Sequence, residues 1–478
     1  MAPHVLIAGG GFAGAALAVH LLRQARAPLA ITVVEPRATL GAGLAYGTAD
    51  PEHRINVPSD NMTVLAEAPA AFTDWLERTG RRQADPEGED EDETGARGRG
   101  RHYSRRADFG AFMADLVAEA VEKAPPGSRL EHVRARVAAL RPAGAGAAAT
   151  LESGRVLQAD QAVLATSHDR PVLPLAPAPG VLCSPAYHAD PWDTARLAEI
   201  APQARVVVLG TGLTMVDVVT GLFARGHRGP VVAVSRRGLL PRGHGAFAPV
   251  TEVPPSSYPP TARAGIRLAR RMVARERAAG RDWHLAVEGL RRSAEPIWQG
   301  WPVAEQDRAL HRLRAAWDVH RFRIAPQLAA RLDAARCDGR LEIRAAALAG
   351  LSAEGRALQV SLRPRGATPE TLVADAVVNC LGPCADVTRR DDPLLQGLFA
   401  GGLARPDPHR LGLDVDGTYR LRDRAGRPQP ALRAVGPLTR GIFWEVVGVP
   451  EVSAHCARLA GALLSDLTEP AEAARVRA

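Results

Sequence analysis

Apolar and polar positions follow two rhythms along this chain, and they change over at runs of glycine. His4 to Ala8 is a short, mainly apolar run, the pattern of a buried strand. Gly9 to Gly14 is a turn, and Ala15 to Arg26 has helical periodicity with strong helix formers. Ile31 to Val34 is a second β-branched run ending at Glu35. Residues 36–80 read as loop and short helix, with Ala70 to Arg78 helical. A helix resumes over Ala107 to Lys123, then short strands near 130–140, 147–152 and 156–165 between glycine turns. A second strand–glycine–helix unit starts at Arg205. Residues 261–335 carry long helical patterns and few glycines, which predicts a helical insertion. Strands return near 341–363, 373–380 and 431–435, and a helix over about 449–467 closes the pattern. No repeat of solenoid length is visible.

Composition narrows the picture. The length of 478 residues suggests two or three domains, and 46% hydrophobic with 23% charged residues is ordinary for a globular protein. No charge-free apolar stretch predicts a membrane span. The first 22 residues lack a basic start and carry glycines where a signal peptide would be solidly apolar, so a cytoplasmic protein is expected. The formal charge is +8, but Lys123 is the single lysine and the arginines are dispersed. That argues against a nucleic-acid partner and against lysine Schiff-base chemistry. Cys183, Cys337, Cys380, Cys384 and Cys456 form no CxxC pair and no zinc spacing, which predicts reduced thiols and no metal site. Residues 83–101 hold an acidic run, Asp85 to Glu93, and then an arginine-rich one, which predicts a solvated insertion.

Candidate chemistry lies at the two glycine turns. Gly9-Gly10-Gly11-Phe12-Ala13-Gly14 is a GxGxxG between strand and helix. Its first glycine permits the tight turn, the second lets backbone approach a pyrophosphate, and the third lets helix and strand pack closely. The free N–H groups at the helix start favour the phosphate charge. Glu35, 21 positions after Gly14, ends the second strand, where a carboxylate can accept bonds from a ribose hydroxyl pair. Pro36 follows it. The second unit, Gly210-Thr211-Gly212-Leu213-Thr214-Met215, has Met215 in place of the third glycine, so helix and strand must sit further apart. After its next strand come Arg236 and Arg237 and no acid. Guanidinium groups can chelate a 2′-phosphate that a carboxylate would repel, so this unit favours NADP over NAD.

Two such units in one chain resemble the two-dinucleotide-binding-domain flavoproteins. The resemblance implies FAD on the first unit and NADPH on the second. Ala162 to His168 looks like the strand that closes the FAD domain, with Ser167 where glycine is usual, and Thr166 beside the cofactor. Val377 to Pro383, including Gly382, looks like the return from the NADPH domain. Ala434-Val435-Gly436-Pro437 looks like the segment against the flavin's ribityl chain and pyrophosphate. Val137 completes the expected cofactor-binding set. The resulting fold class is α/β, two Rossmann-like dinucleotide-binding domains with a helical insertion. The expected boundaries are 1–180 and 376–478 for the two parts of the FAD domain, and 181–375 for the NADPH domain with insertion 261–335. A tighter resemblance, to a bacterial group of FAD/NAD(P)-binding proteins, rests on Gly41 to Thr48, Ile55 to Pro58 and Trp317 to Arg321.

Three chemistries then compete. A disulfide reductase needs paired cysteines facing the flavin, and none lies near residues 35–65 or after the second glycine turn. Class B flavin monooxygenases carry an F-x-G-x-x-x-H-x-x-x-W-[PD] stretch before the second unit. Leu182 to Asp193 is similar to it at His188, Trp192 and Asp193, and departs at Leu182 and Ser184. The resemblance implies a single-component monooxygenase that oxygenates a small molecule through a flavin C4a-peroxide. His188 and Asn56 are the candidate catalytic residues. Asn56, in a rigid turn, either hydrogen-bonds the flavin or nicotinamide or closes an Asx turn. The alternatives are a FAD-dependent dehydrogenase or reductase without oxygen transfer, or a flavin-binding redox-sensing scaffold. Trp283, Trp298, Trp301 and Trp317 either pack the insertion's core or form an aromatic wall over a substrate pocket. Arg321 and Arg323 could bind an anion or form a salt-bridged face. Substrate and oligomeric state are not legible.

Overall fold

A computed structural model describes residues 2–89, 101–166, 171–245, 248 and 250–476. Most of the acidic and arginine-rich insertion, residues 90–100, falls outside the described residues, as do Ser167 and His168. The chain opens with β1 (His4–Ala8), α1 (Phe12–Gln24), β2 (Ala30–Val34), α2 (Ala71–Arg78), α3 (Arg106–Glu122) and β3 (Arg129–Val133). Strands β4 (Val137–Ala143), β5 (Gly146–Leu151) and β6 (Val156–Ala159) form a small antiparallel sheet before β7 (Gln161–Leu164). The second unit holds β8 (Tyr187–His188), α4 (Thr194–Leu197), β9 (Val206–Leu209), α5 (Leu213–Ala224) and β10 (Val231–Ser235). Helices α6 (Ala262–Ala278), α7 (His284–Arg292), α8 (Ala294–Gly300), α9 (Val303–Arg312), α10 (Arg314–Arg321) and α11 (Pro326–Cys337) follow. Then come β11 (Leu341–Glu354), β12 (Ala357–Pro364), β13 (Glu370–Ala374), β14 (Ala376–Asn379) and α12 (Pro393–Ala400). The chain ends in β15 (Arg420–Arg422), β16 (Pro428–Ala434), α13 (Arg440–Phe443) and α14 (Val449–Val476).

Two sheets organise these elements. The first has the order β15-β16-β7-β1-β2-β3, so the last strands of the chain pair with the first ones. Its central strands run parallel, and β1, β2 and β7 are buried almost throughout, as strands covered on both faces must be. The second has the order β13-β12-β11-β10-β9-β14-β8. Strands β8, β14, β9, β10 and the start of β11 are parallel, and β12 and β13 fold back antiparallel. Each parallel part is the doubly wound pattern expected from the two glycine units.

Two sequence expectations are corrected. Residues 376–379 were expected in the returning first domain, but β14 pairs with β9 and β8 and so belongs to the second sheet. The insertion was expected to reach residue 335. Helix α11 instead precedes β11, which lies parallel to β10, and its Leu328, Leu332 and Ala335 pack in the core of the second sheet. It is the crossover that a parallel pair requires, and the inserted helices are α6 to α10.

The sheets are fastened by polar contacts, some of them buried. Arg106 on α3 pairs with Asp217 on α5 at 2.8 Å, and Arg106 Nε donates to the Arg54 carbonyl at 2.9 Å. Arg225 reaches Asp50 at 2.6 Å. His244 Nε2 donates to the Asn56 carbonyl at 2.8 Å. Among the described residues no helix is long and apolar enough to cross a membrane.

Candidate functional site

The first glycine turn is built as a cradle. Gly9 has φ +102°, and a Cβ there would lie 2.6 Å from the Ala165 carbonyl oxygen. A Cβ on Gly14 would lie 1.9 Å from the Gly9 oxygen, so helix α1 sits on β1 as closely as backbone allows. Gly11 differs from both. A Cβ there would meet only the Gly43 Cα, at 3.5 Å, so this glycine borders open space. No side chain caps α1 at Gly11, which leaves the helix start available to an anion. Phe12 and Ala13 form its first turn, and Phe12 packs edge-on against Tyr46, with ring centroids 6.3 Å apart.

Most residues expected around this turn come together, while Val137 lies in the small antiparallel sheet. Glu35 is buried at the end of β2 and accepts from the Gly10 N–H at 3.0 Å, and Arg37 donates to its other oxygen. Pro36 is half-buried beside it. Thr166 follows β7 next to Gly9, and its hydroxyl is buried with no hydrogen-bond partner among the described residues. Gly436, at φ +77°, approaches Ala13, where a Cβ would stand 3.0 Å from the alanine's own. Val137 is half-buried at the start of β4, four residues past β3. An uncapped helix start, a glycine facing open space, a fixed carboxylate and an orphaned hydroxyl fit a dinucleotide.

The second turn repeats the scheme. Gly210 N–H bonds the Val234 carbonyl at 2.7 Å, as Gly9 N–H bonds Val34 at 2.9 Å. Gly210 has φ +111°, and a Cβ there would meet the Cys380 oxygen at 2.3 Å. A Cβ at Gly212 would meet nothing within 4 Å, and no side chain caps α5, whose first turn holds Leu213 and Thr214. Met215 is fully buried in the core, so this helix start must stand clear of the turn where Gly14 lets α1 touch it. Thr211 is not open to a ligand through its hydroxyl, which bonds Ser235 at 2.8 Å and the Leu239 carbonyl at 2.6 Å. Arg236 and Arg237 are exposed and form no ion pair among the described residues. Gly382, φ +81°, lies just beyond β14 with open space around it.

The segment between the units touches both. His188 lies in β8 opposite Val378 of β14, at the edge of the second sheet. It is buried, its Nδ1 has no hydrogen-bond partner among the described residues, and burial, with help from Arg196, lowers its pKa to about 4. Four residues on, Trp192 meets His53 edge-on at 6.3 Å and lies under the Arg106 guanidinium at 5.7 Å. Asn56 is half-buried, and its side-chain amide bonds no described residue, so it does not close an Asx turn. His188 and Asn56 do not touch each other; the former belongs to the second sheet and the latter to the junction.

The inserted helices line an open cavity of about 1250 Å³. Trp283, Trp298, Trp301 and Trp317 all line it, together with Trp444. Trp298 also packs within the core, stacked on Trp444 at 4.5 Å. Trp444 is held in an unusual backbone conformation that carries no sequence signal. With φ 58° and ψ −65°, and Glu445 N–H bonding the Phe443 carbonyl at 2.7 Å, it sits at the centre of a strained γ-turn. Arg321 and Arg323 take the salt-bridged alternative: both are buried, on Glu445 at 3.1 Å and Glu288 at 2.8 Å. Glu288 is opposed by burial, but Arg291, Arg323 and Arg321 outweigh it and hold its pKa at about 2. His244 and the Arg106–Asp217 pair carried no sequence signal, because their partners lie far away in the chain. Among the described residues no cluster of histidine, cysteine or carboxylates could hold a metal.

Comparison with known proteins agrees with this geometry. Residues 6–169 match the model of a FAD-NAD(P)-binding family. No curated protein sequence matches the chain. Among solved structures, an ornithine N-hydroxylase of Kutzneria sp. 744 is 17% identical, with TM-score 0.61, over 98% of this chain and 99% of that one. The ornithine hydroxylase PvdA of Pseudomonas aeruginosa is 14% identical, with TM-score 0.64, over 98% and 100%. DfoA, a cadaverine monooxygenase of Erwinia amylovora solved with FAD, is 13% identical, with TM-score 0.61, over 98% and 94%. The chain thus has the fold of two-dinucleotide-domain flavoproteins over nearly its whole length.

Proposed function

We propose that this chain is a FAD-containing, NADPH-dependent oxidoreductase, a single-component monooxygenase that oxygenates a small molecule. The observation that carries this reading is the pair of open glycine cradles in one chain, joined by a segment that packs on both units. FAD supplies the acceptor for the NADPH hydride and the electrons that divide oxygen between substrate and water. This chain's residues bind, orient and exclude water. Gly11 and the start of α1 receive the FAD pyrophosphate, Glu35 the ribose, and Thr166 and Gly436 border the same cradle. Gly212 and the start of α5 receive the NADPH pyrophosphate, and Arg236 and Arg237 the 2′-phosphate. His188, neutral at physiological pH, offers a ring nitrogen beside the second unit, and Asn56 offers an unpaired amide at the junction.

The cysteines support an oxygenase over a disulfide reductase. All five are free, and burial raises the Cys380 thiol well above its ordinary range, so it remains a protonated, poor nucleophile. The deciding experiment reduces the purified protein with NADPH and follows the visible flavin band. Loss of the band without oxygen, then hydrogen peroxide release falling well below NADPH consumption once substrate is added, supports the monooxygenase. Stoichiometric peroxide with every substrate tried would refute it.

A further inference from the structure

The cavity in the insertion joins an aromatic interior to a rim of one sign. Five of the chain's seven tryptophans line it. The indole N–H groups of Trp298 and Trp301 are taken by the carbonyls of Gly441 at 2.8 Å and Pro259 at 2.6 Å, so neither ring offers a free donor to the cavity. The charged residues on the wall are Arg242, Arg270, Arg277 and Arg314. Among the described residues no aspartate or glutamate lines it. Arg242, Arg270 and Arg277 are exposed and form no ion pair among the described residues, and Arg314 has a single carboxylate, Asp318, at 3.5 Å. Behind Trp444, the half-buried Arg440 lies 4.9 Å from the ring centre, with its Nε buried and unbonded.

This wall discriminates by charge. A ligand amine would sit among cations with no lining carboxylate to receive it, whereas a carboxylate would find guanidinium donors on several sides. The volume exceeds the range of roughly 300–1,000 Å³ common for ligand pockets, so a bicyclic molecule has room. We propose that the cavity binds a planar aromatic acid, its rings among the tryptophans and its carboxylate at the arginine rim. That this acid is the substrate rests on the monooxygenase reading; that it binds does not.

The test uses the full-length, FAD-loaded protein without NADPH, and isothermal titration calorimetry. The probes are 2-naphthylacetate, its neutral amide, 2-(2-naphthyl)ethylamine and decanoate. The acid should bind about tenfold or more tighter than each of the other three. Arg270→Gln with Arg277→Gln, both on the surface, should remove most of the acid–amide difference and leave amide affinity within about twofold. Trp317→Leu should weaken acid and amide alike by about fivefold. Equal affinity for acid and amide, tighter binding of the amine, or decanoate matching the acid would each overturn the assignment. Selective acid binding without coupled NADPH oxidation would remove this acid as the substrate and leave the binding assignment standing, while the monooxygenase reading would fall only with stoichiometric peroxide from every substrate tried. Coupled oxidation of an amine, with no acid binding, would sink the binding assignment and leave the monooxygenase reading standing.

Discussion

At the residue scale, three glycines of one motif do different work, and substitutions separate them. Gly11 borders open space, so Gly11→Val should fold with an unchanged far-ultraviolet spectrum but emerge colourless, its side chain standing where the pyrophosphate would lie. Full flavin occupancy in that variant would refute the first cradle. Gly14→Ala places a carbon 1.9 Å from the Gly9 oxygen, so it should cost about 1–3 kcal/mol of stability or more, seen as a lowered Tm. In the second unit, the proposed contacts of Arg236 and Arg237 with a 2′-phosphate would be charge-assisted hydrogen bonds worth about 1.5–3 kcal/mol each, and Arg236→Ala with Arg237→Ala would remove them. The KM for NADPH should rise by roughly tenfold or more while that for NADH changes little. Equal effects on both nucleotides would remove the 2′-phosphate assignment.

At the element scale, the inserted helices are tied to the C-terminal segment by charges as well as by the apolar contact of Trp298 on Trp444. Arg321 on α10 is buried on Glu445, one residue beyond the strained Trp444, and Arg291 on α7 pairs with Glu451 on α14. Glu445→Ala leaves the Arg321 cation buried with Glu451 at 3.8 Å and the field of Glu288 but without its hydrogen-bonded partner, a loss of up to about 3–5 kcal/mol by precedent for broken buried pairs. The expected outcome is earlier protease cleavage within residues 262–321, with β1 to β3 still protected. Glu445→Gln, which keeps a hydrogen-bond acceptor, should show a smaller effect.

At the scale of the whole molecule, acid should loosen the junction between the two units. His244, which bonds Asn56 across that junction, has its pKa lowered to about 3, and His188, at the edge of the second sheet, to about 4, burial being the main cause in both. Unfolded histidine takes a proton near pH 6.5, and the folded rings resist it. The unfolded chain therefore binds more protons below pH 6.5, so stability is complete above that value and falls as the pH drops beneath it. Each ring withdraws at most about 1.4 kcal/mol per pH unit until its folded value is reached. The Tm should drop between pH 7 and pH 5. His244→Gln, which keeps a donor for the Asn56 carbonyl and cannot titrate, should flatten part of that drop. An unchanged slope in the variant would remove His244 from the account.

Local chemistry made the two cradles legible, because a glycine turn between a strand and a helix is written in a dozen consecutive residues. Gly9 to Gly14 with Glu35, and Gly210 to Thr214 with Arg236, could be read before any coordinate was known, and so could the parallel α/β class. Their partners could not. That α11 is a crossover and not insertion, that β14 stays in the second sheet, and that Arg106 meets Asp217 depend on pairings across many tens of residues. The tryptophans of the insertion posed the same difficulty, since helical spacing cannot tell a packed core from a lined cavity. The sequence by itself determined where the backbone turns tightly and leaves a helix start open, for there the constraint is local and steric. Only the tertiary structure decided which arginines are spent on buried carboxylates and which stand free around the cavity, because charge pairing is a matter of distance in space, not along the chain.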